Sequence, residues 1–163
     1  MDFSTTTSSP LGPLTLRATD QAITALNIGG TARNATSTHD AGTQESNDLL
    51  DRAVSQLGEY FAGNRTSFDL PLEISGTPFQ EAIWSALRDV AYGTSVSYQE
   101  LGEAAGRGNA PRAVGGAVGR NPIAIIVPCH RVLASNARIT GYSGGDGIPT
   151  KEKLLTLEGI SYR

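Results

Sequence analysis

Apolar and polar residues alternate in two short segments near the start of the chain. The apolar positions of the two segments are Leu11, Leu14, Leu16, Ile23, Leu26 and Ile28. A polar tripeptide at 19–21 separates the segments, and alternation on both sides of a short polar break is typical of a β-hairpin. The pattern therefore predicts two antiparallel strands.

A small, polar stretch without periodicity, residues 29–47, predicts a loop after the hairpin. His39 lies in that stretch and is predicted to be solvated. Apolar residues then recur at helical spacing, with Ser46 or Asn47 as the N-cap and Gly63 as the stop. These apolar residues are Leu49, Leu50, Ala53, Leu57, Tyr60 and Phe61.

An alternating stretch at 67–72 predicts an edge strand, because an edge tolerates the missing N–H group of Pro71. The periodicity changes near Gly76, which predicts a boundary between a small N-terminal domain, residues 1–75, and a second domain, residues 76–163. The first domain carries no cluster of reactive side chains, so we expect it to act as a scaffold.

Helical signals predominate in the second half of the chain. Residues 77–80 have the sequence of a capping box with Pro78 at the first helical position, and the apolar stripe that follows places Trp84 in the core. Residues 97–100 form a second capping box, which predicts a short helix ending at Gly106. The second domain is therefore predicted to be mostly helical.

A further helix is predicted from Pro111 to Gly119 or Arg120, joined to the preceding one by a tight glycine-containing turn. Two short helices with such a turn indicate a helix-turn-helix. Glycines such as Gly115 and Gly116 each cost about 1 kcal/mol relative to alanine inside a helix. They allow close approach either of a second helix or of a nucleic acid, and the pattern alone favours neither.

An apolar run at 123–127 has the length and β-branched content of a buried extended segment, and it stops at Pro128. The run leads to the only cysteine of the chain, Cys129, which is followed by His130 and Arg131. Nearby imidazole and cationic groups favour the reactive thiolate form of cysteine. A bare Cys-His pair is nevertheless more often an inert, half-buried thiol beside solvated neighbours.

Composition narrows the class of protein. The chain has 163 residues, of which 39% are hydrophobic and 18% charged, which is typical of a globular protein. No stretch approaches the roughly 20 apolar residues of a membrane span, and the start lacks the features of a signal peptide. A single cysteine cannot form an internal disulfide, which favours the cytoplasm. One cysteine and two histidines also argue against a metal site.

The charge is distributed unevenly. The net charge is −3, but residues 1–75 hold four Lys/Arg and nine Asp/Glu, whereas residues 76–163 hold nine and seven. The second half is therefore net positive, which permits contact with DNA through that half. An ordinary fluctuation of charge explains these counts equally well.

Several short motifs occur in an order that resembles the O6-alkylguanine-DNA alkyltransferases. Pro128-Cys129-His130-Arg131 is the hallmark of that family. The other matching segments are 76–80, 97–101, 112–117, 140–145 and 154–159, with looser matches at 9–16 and 60–63. The strong part of the resemblance covers residues 76–159.

The resemblance implies an α+β protein. It implies a small N-terminal α/β domain, ribonuclease H-like, with an antiparallel sheet and a helix, followed by a mostly helical domain with a winged helix-turn-helix. The implied activity is that of a methylated-DNA--[protein]-cysteine S-methyltransferase. Such proteins reverse damage directly in a single turnover, without a cofactor.

The resemblance also implies roles for the catalytic residues. Glu158 would orient His130, which would take the proton of Cys129 through a water, and the thiolate would attack the alkyl carbon. Asn121 would brace the helix-turn-helix against the active-site turn. No residue is placed to hydrolyse the thioether that forms, so the protein would be consumed.

Double-stranded DNA carrying O6-alkylguanine is the implied partner, bound by a monomer. The damaged nucleotide must leave the stack because a thiol in a pocket cannot reach the base edge inside a duplex. The resemblance assigns flipping and minor-groove contacts to Tyr98, Arg112, Ala113, Gly115 and Gly116. It assigns the substrate pocket to Val118, the Val132 carbonyl, Tyr142, Ser143 and Gly144.

Two other functions are alternatives to this one. A non-catalytic lesion sensor on the same fold has another residue in place of the cysteine, whereas this chain has Cys129. A Cys-His hydrolase needs an oxyanion hole, for which the sequence shows no clear pair of donors. The alkyl-group range, repair of O4-alkylthymine and cooperativity on DNA stay open. Pro111 and the segment 146–149 depart from the family pattern.

Overall fold

The structure is a computed structural model that describes residues 2–29, 45–108 and 110–163. Contacts within the chain divide it into two compact units, Met1–Glu73 and Ile74–Arg163. His39 and most of the predicted loop at 29–47 lie outside the described residues. Within the described ranges, every helix is too short or too polar to cross a membrane.

The first unit contains a three-stranded antiparallel sheet in the order β1 (Phe3–Thr7), β2 (Leu14–Ala18) and β3 (Ile23–Ile28). The predicted hairpin is confirmed as β2 and β3, with Leu14 opposite Ile28 in the register. Strand β1 was not predicted. It has one aromatic residue followed by serine and threonines, so its strand signal is β-branching rather than alternation.

Helix α1 (Asp48–Phe61) begins where the pattern predicted. The Asn47 side chain accepts a hydrogen bond from Leu50 N at 2.9 Å. The predicted edge strand at 67–72 is wrong, since only Leu72 forms a bridge, to Ile23. Pro71 supplies a carbonyl to Ile23 N at 2.8 Å but has no N–H for a longer ladder.

The second unit is mostly helical. Its helices are α2 (Pro78–Arg88), α3 (Tyr98–Ala104), α4 (Pro111–Gly119) and α5 (Ile148–Glu158). A 3-10 helix at Cys129–Arg131 leads into β5 (Val132–Leu133), which pairs in parallel with β4 (Val96–Ser97). Both predicted capping boxes are present, at the starts of α2 and α3.

Helices α3 and α4 form the predicted helix-turn-helix. A Cβ atom on Gly102 would lie 2.7 Å from Gly108 O and 3.1 Å from Val114 Cγ2, so only glycine allows this close approach. Helix α2 packs behind α4, where Trp84 Nε1 donates to Ala117 O at 2.8 Å. Trp84 is a core residue, as predicted, and its buried N–H is satisfied.

The apolar run at 123–127 is buried, but the prediction that it is extended is wrong. The run folds into tight turns, with Val127 N donating to Ile123 O at 3.0 Å. Asn121 closes the turn from both ends, since its side chain accepts from Ile123 N at 3.0 Å and donates to Val127 O at 2.8 Å. Ile125 has a φ of 72°, which costs about 1–3 kcal/mol for a β-branched residue.

Candidate active site

Cys129 stands at the start of the 3-10 helix, directly after the turn that Asn121 closes, and is only 5% exposed. Burial raises the pKa of its thiol, while hydrogen bonds to the Asn121 and Tyr142 side chains and the charge of Lys151 act in the opposite direction. Because the raised pKa predominates, the resting group at neutral pH is a thiol. Its use as a nucleophile requires a proton acceptor.

His130 is fully buried, so the alternative of a solvated His-Arg pair is wrong. Its Nε2 lies 2.7 Å from Oε2 of Glu158. Burial lowers the pKa of His130, although the hydrogen bond and charge of Glu158 partly offset this. The imidazole is therefore neutral at pH 7, and the carboxylate, an acceptor only, places the proton on Nε2.

The second ring nitrogen of His130 is left with its lone pair. Nδ1 is buried and makes no hydrogen bond to any of the residues that the structure describes. A neutral imidazole whose other nitrogen faces a carboxylate is suited to accept a proton. Since Cys129 directly precedes His130 in the chain, this nitrogen is the candidate base for the thiol.

Glu158 ends α5, and Gly159 follows it in the left-handed conformation with a φ of 73°. A carboxylate is unfavourable at the negative end of a helix dipole, so Glu158 needs a partner elsewhere in the structure. The structure places His130, Arg131 and the Gly93 N–H group against this carboxylate. Besides His130, Arg131 donates to Glu158 through Nε at 2.8 Å and Nη2 at 3.0 Å. The sequence suggested that Arg131 acts on the cysteine, and its pairing with Glu158 was missed.

A pocket of about 290 Å³ opens next to Cys129. Its lining residues are Tyr98, Gly115, Val118, Gly119, Cys129, Thr140, Gly141, Tyr142, Ser143 and Lys151. Of the residues predicted to line it, Val118, Tyr142 and Ser143 do so. This volume lies at the lower end of the roughly 300–1,000 Å³ that is typical of ligand pockets. The pocket therefore suits a small group such as one base.

Two residues predicted to line the pocket are not part of its wall. The Val132 carbonyl accepts from Lys151 Nζ at 2.6 Å. The Gly144 carbonyl accepts from Gly147 N at 2.9 Å, in the turn that precedes α5. Each of these carbonyls accepts one internal hydrogen bond and keeps a second lone pair, so their role in binding the substrate stays a prediction.

Lys151 is the main residue that sequence reasoning missed. It is 1% exposed and also donates to Gly141 O at 3.2 Å. Burial lowers its pKa to about 8, while the nearby thiol of Cys129 acts in the other direction. A signal was present, because positions 151, 154, 155 and 158 follow the i, i+3, i+4, i+7 spacing of one buried helix face.

Helix α3 and the segment 134–147 meet over the pocket. Tyr98, the first residue of α3, contacts Thr140 Oγ1 through its hydroxyl at 2.9 Å. The Ser143 hydroxyl donates to Gly119 O on α4 at 3.0 Å. These two contacts fix the segment across the pocket and bring together residues more than twenty positions apart.

Part of the surface of α4 faces solvent. Arg112, Ala113 and Gly116 are exposed, and Gly115 is half-buried beside the Tyr98 ring. Apart from its chain neighbours and the backbone of α4 itself, a Cβ atom at Gly116 or Gly119 would meet no described atom within 4 Å. Helix–helix packing therefore does not explain these two glycines, and their surface is free for a closely approaching partner.

Comparison with known proteins gives two family matches. The profile described as "6-O-methylguanine DNA methyltransferase, DNA binding domain" matches residues 78–160. The profile described as "6-O-methylguanine DNA methyltransferase, ribonuclease-like domain" matches residues 3–74. Together they account for most of the chain.

Individual relatives agree with these profiles. A methylated-DNA--protein-cysteine methyltransferase of Mycolicibacterium paratuberculosis is 44% identical over 153 residues, covering 94% of this chain and 90% of the relative. The crystal structure of the Mycobacterium tuberculosis O6-methylguanine methyltransferase superposes with a TM-score of 0.87 at 43% identity, covering 98% and 93%. A structure of the M. tuberculosis protein in complex with DNA gives 0.83 at 43% identity, covering 96% and 92%.

Proposed function

Because this chain belongs to the 6-O-methylguanine DNA methyltransferase family, we propose that it repairs O6-alkylguanine in double-stranded DNA by moving the alkyl group to its own Cys129. The observation that carries this proposal is the position of the sole cysteine, in the wall of a base-sized pocket and beside the buried His130–Glu158 pair. The activity is direct reversal of DNA damage, with the protein itself as the methyl acceptor.

The proposed reaction uses the residues in a fixed order. His130 Nδ1 takes the proton of the Cys129 thiol through a bridging water, while Glu158 stabilises the imidazolium that forms. The thiolate attacks the alkyl carbon, a C–S bond forms, and the bond from that carbon to O6 breaks. The departing guanine then receives the proton held by His130. A thioether is stable to water, so each protein molecule reacts once.

Lys151 supports the same step. Its ammonium lies in the pocket wall, and the Coulombic interaction with Cys129 favours the thiolate. Among the described residues no carboxylate pairs with it, so its charge is not neutralised locally. In a buried site such a charge acts with little screening.

The exposed side of α4 is the proposed contact with the minor groove, which is about 6 Å wide and admits only small side chains. Arg112 is assigned to fill the stack after the damaged nucleotide leaves, and Tyr98 to assist its rotation. Ala113, Gly115 and Gly116 allow the helix to approach the groove. The M. tuberculosis relative that was crystallised with DNA supports a DNA-binding role for this fold.

We also propose a division of labour between residues 1–75, as a scaffold, and residues 76–163, which bind DNA and accept the alkyl group. All residues assigned to the site belong to the second unit. One chain supplies all of them, which supports action as a monomer. The lone cysteine, which forms no disulfide, supports a cytoplasmic location.

Intact mass after reaction with methylated duplex DNA tests the proposal. With DNA in excess, we expect the protein to gain the mass of one methyl group on Cys129, and the repaired guanine to stop at one equivalent. Multiple turnovers would instead indicate a hydrolase. Repair that leaves Cys129 unmodified would contradict the assigned acceptor, and DNA binding without any transfer would indicate a lesion sensor.

Arg112→Ala tests the proposed flipping role. We expect it to slow transfer from methylated duplex DNA by about 10-fold or more, because losing the side chain that fills the stack leaves unstacking energy of a few kcal/mol uncompensated. Transfer from free O6-benzylguanine should be almost unchanged, since that substrate has no stack to fill. Single-turnover rates on the two substrates measure the difference.

The matched control is Arg88→Ala, which removes an exposed arginine from the end of α2 instead. Both variants lose one positive charge. The general electrostatic attraction to DNA should therefore be reduced, and depend on salt, to a similar degree in each variant. Equal losses on duplex DNA and on the free base would remove Arg112 from the flipping role.

A further inference from the structure

Arg131 is an arginine that the reaction described above does not use. It is 6% exposed and lies against the Glu158 carboxylate in a two-point contact, Nε to Oε1 at 2.8 Å and Nη2 to Oε2 at 3.0 Å. The remaining nitrogen, Nη1, donates to Val90 O at 2.7 Å. All three guanidinium nitrogens are thus engaged inside the protein, so Arg131 does not serve as a DNA contact.

The position of Arg131 ties three parts of the second unit together. The 3-10 helix carries it, Glu158 belongs to the end of α5, and Val90 follows α2. The guanidinium carbon lies 5.7 Å from the centroid of the Tyr92 ring, within the range of a cation–π contact. Gly93 N adds a further hydrogen bond to Glu158 Oε1 at 3.3 Å.

The chemistry of the Glu158 carboxylate explains why its contact with Arg131 is important. The Glu158 side chain is fully buried, and a buried carboxylate is costly unless it is paired and hydrogen-bonded. His130 is neutral and supplies a hydrogen bond but no charge. Arg131 supplies the compensating charge, and its planar fork matches both carboxylate oxygens, which a lysine cannot do.

We propose that Arg131 is a positioning residue for the alkyl transfer: it holds Glu158 ionised and oriented against His130 Nε2, so that His130 stays a neutral base beside Cys129. This inference rests on the proposed function and deepens it. It extends the Cys129–His130–Glu158 set by one residue that touches neither the thiol nor the base, and it accounts for the last residue of the Pro128–Arg131 motif by a contact 27 positions away.

The charges around His130 set the direction of the effect. Glu158 and Lys151 face it from α5, Cys129 and Arg131 flank it in the chain, and Tyr92 lies over Arg131. The charges of Arg131 and Lys151 lower the pKa of His130, and Glu158 raises it. Removing the charge of Arg131 therefore makes the coupled His130–Glu158 pair take up a proton at higher pH.

The sign of the pH dependence follows from the role of the base. Only neutral His130 accepts a proton, so the transfer rate falls as pH falls through the pKa of His130. A raised pKa moves this fall to higher pH. In the wild type, where burial lowers the pKa, the fall lies below the ordinary histidine value of about 6.5.

The experiment compares Arg131→Met, Arg131→Lys and the control Arg138→Met, which removes an exposed arginine from the segment 134–147. Single-turnover transfer from methylated duplex DNA is measured as a function of pH, together with the rate at which iodoacetamide modifies Cys129. We expect the acid midpoint of both rates to rise by about one pH unit in Arg131→Met. It should rise less in Arg131→Lys and stay unchanged in the control.

A folded Arg131→Met protein that is slower at every pH but keeps the wild-type midpoint would overturn the proposal, because a purely structural arginine predicts that result. If Arg131→Met does not fold, the transfer rate of Arg131→Lys tests the proposal instead. Because lysine keeps the charge but loses the two-point contact, we expect transfer about tenfold slower, and a wild-type rate would reject the role. Failure of the proposed function is distinct, since the wild type itself would then take up no methyl group.

Discussion

Cys129→Ser abolishes alkyl transfer completely while leaving binding to methylated duplex DNA within about twofold of the wild type; this is the largest effect that we expect. A serine hydroxyl is a weak nucleophile at neutral pH unless a base activates it fully, and sulfur is far more nucleophilic toward an alkyl carbon. The chain has no second cysteine that could replace the first. Chromatography of hydrolysed DNA, which counts the O6-methylguanine that remains, measures the loss.

DNA binding should survive because the contacts with the groove lie elsewhere. The residues assigned to DNA belong to α3 and α4, and Cys129 belongs to the 3-10 helix. Arg112→Ala is the opposite control, since it keeps the acceptor and alters the contact with DNA. Residual transfer by Cys129→Ser, with the methyl group found on Lys151 or any other residue, would refute Cys129 as the acceptor.

Glu158→Gln is expected to have the second largest effect, slowing transfer by about 10²–10⁴-fold, the range that general base catalysis contributes. Glutamine has nearly the same size but no charge. Without the carboxylate the pKa of His130, already lowered by burial, falls further, so His130 becomes a weaker base for a thiol whose pKa is raised. The stoichiometry should still reach one methyl group per protein, because the acceptor is intact.

The same change should also lower stability. Arg131 would remain buried without its anionic partner, and breaking a buried ion pair on one side typically costs about 3–5 kcal/mol. Glu152→Gln, a half-buried glutamate on the same helix, is the matched control and should leave rate and melting temperature unchanged. A Glu158→Gln protein with the wild-type transfer rate would show that His130 needs no oriented partner.

The local elements of this fold could be predicted because their causes lie within a few residues of each other. Thr77 and Gln80, and likewise Ser97 and Glu100, satisfy the first N–H groups of their helices reciprocally. The β2–β3 hairpin follows from alternation on both sides of a short polar break. Glu158 next to Gly159 could be placed at a helix end for the same reason.

Predictions failed where a non-local contact overrides the local pattern. The run 123–127 has the composition of a strand, yet the Asn121 side chain supplies the hydrogen bonds that a neighbouring strand would provide. Ile125 accepts a positive φ as a consequence. At 67–72 the alternation was present, but Pro71 and a single available neighbour, Ile23, left only one bridge.

The sequence by itself determined the helix-turn-helix, the single possible thiol acceptor and the pairing of His130 with Glu158 through the family resemblance. Only the tertiary structure decided that Arg131 compensates Glu158 and that Lys151 lies beside Cys129 with its charge unpaired by any described carboxylate. The physical reason is that the state of a buried charge depends on what surrounds it in space. Residues 129 to 131 and residue 158 become neighbours only after α5 folds back onto the 3-10 helix.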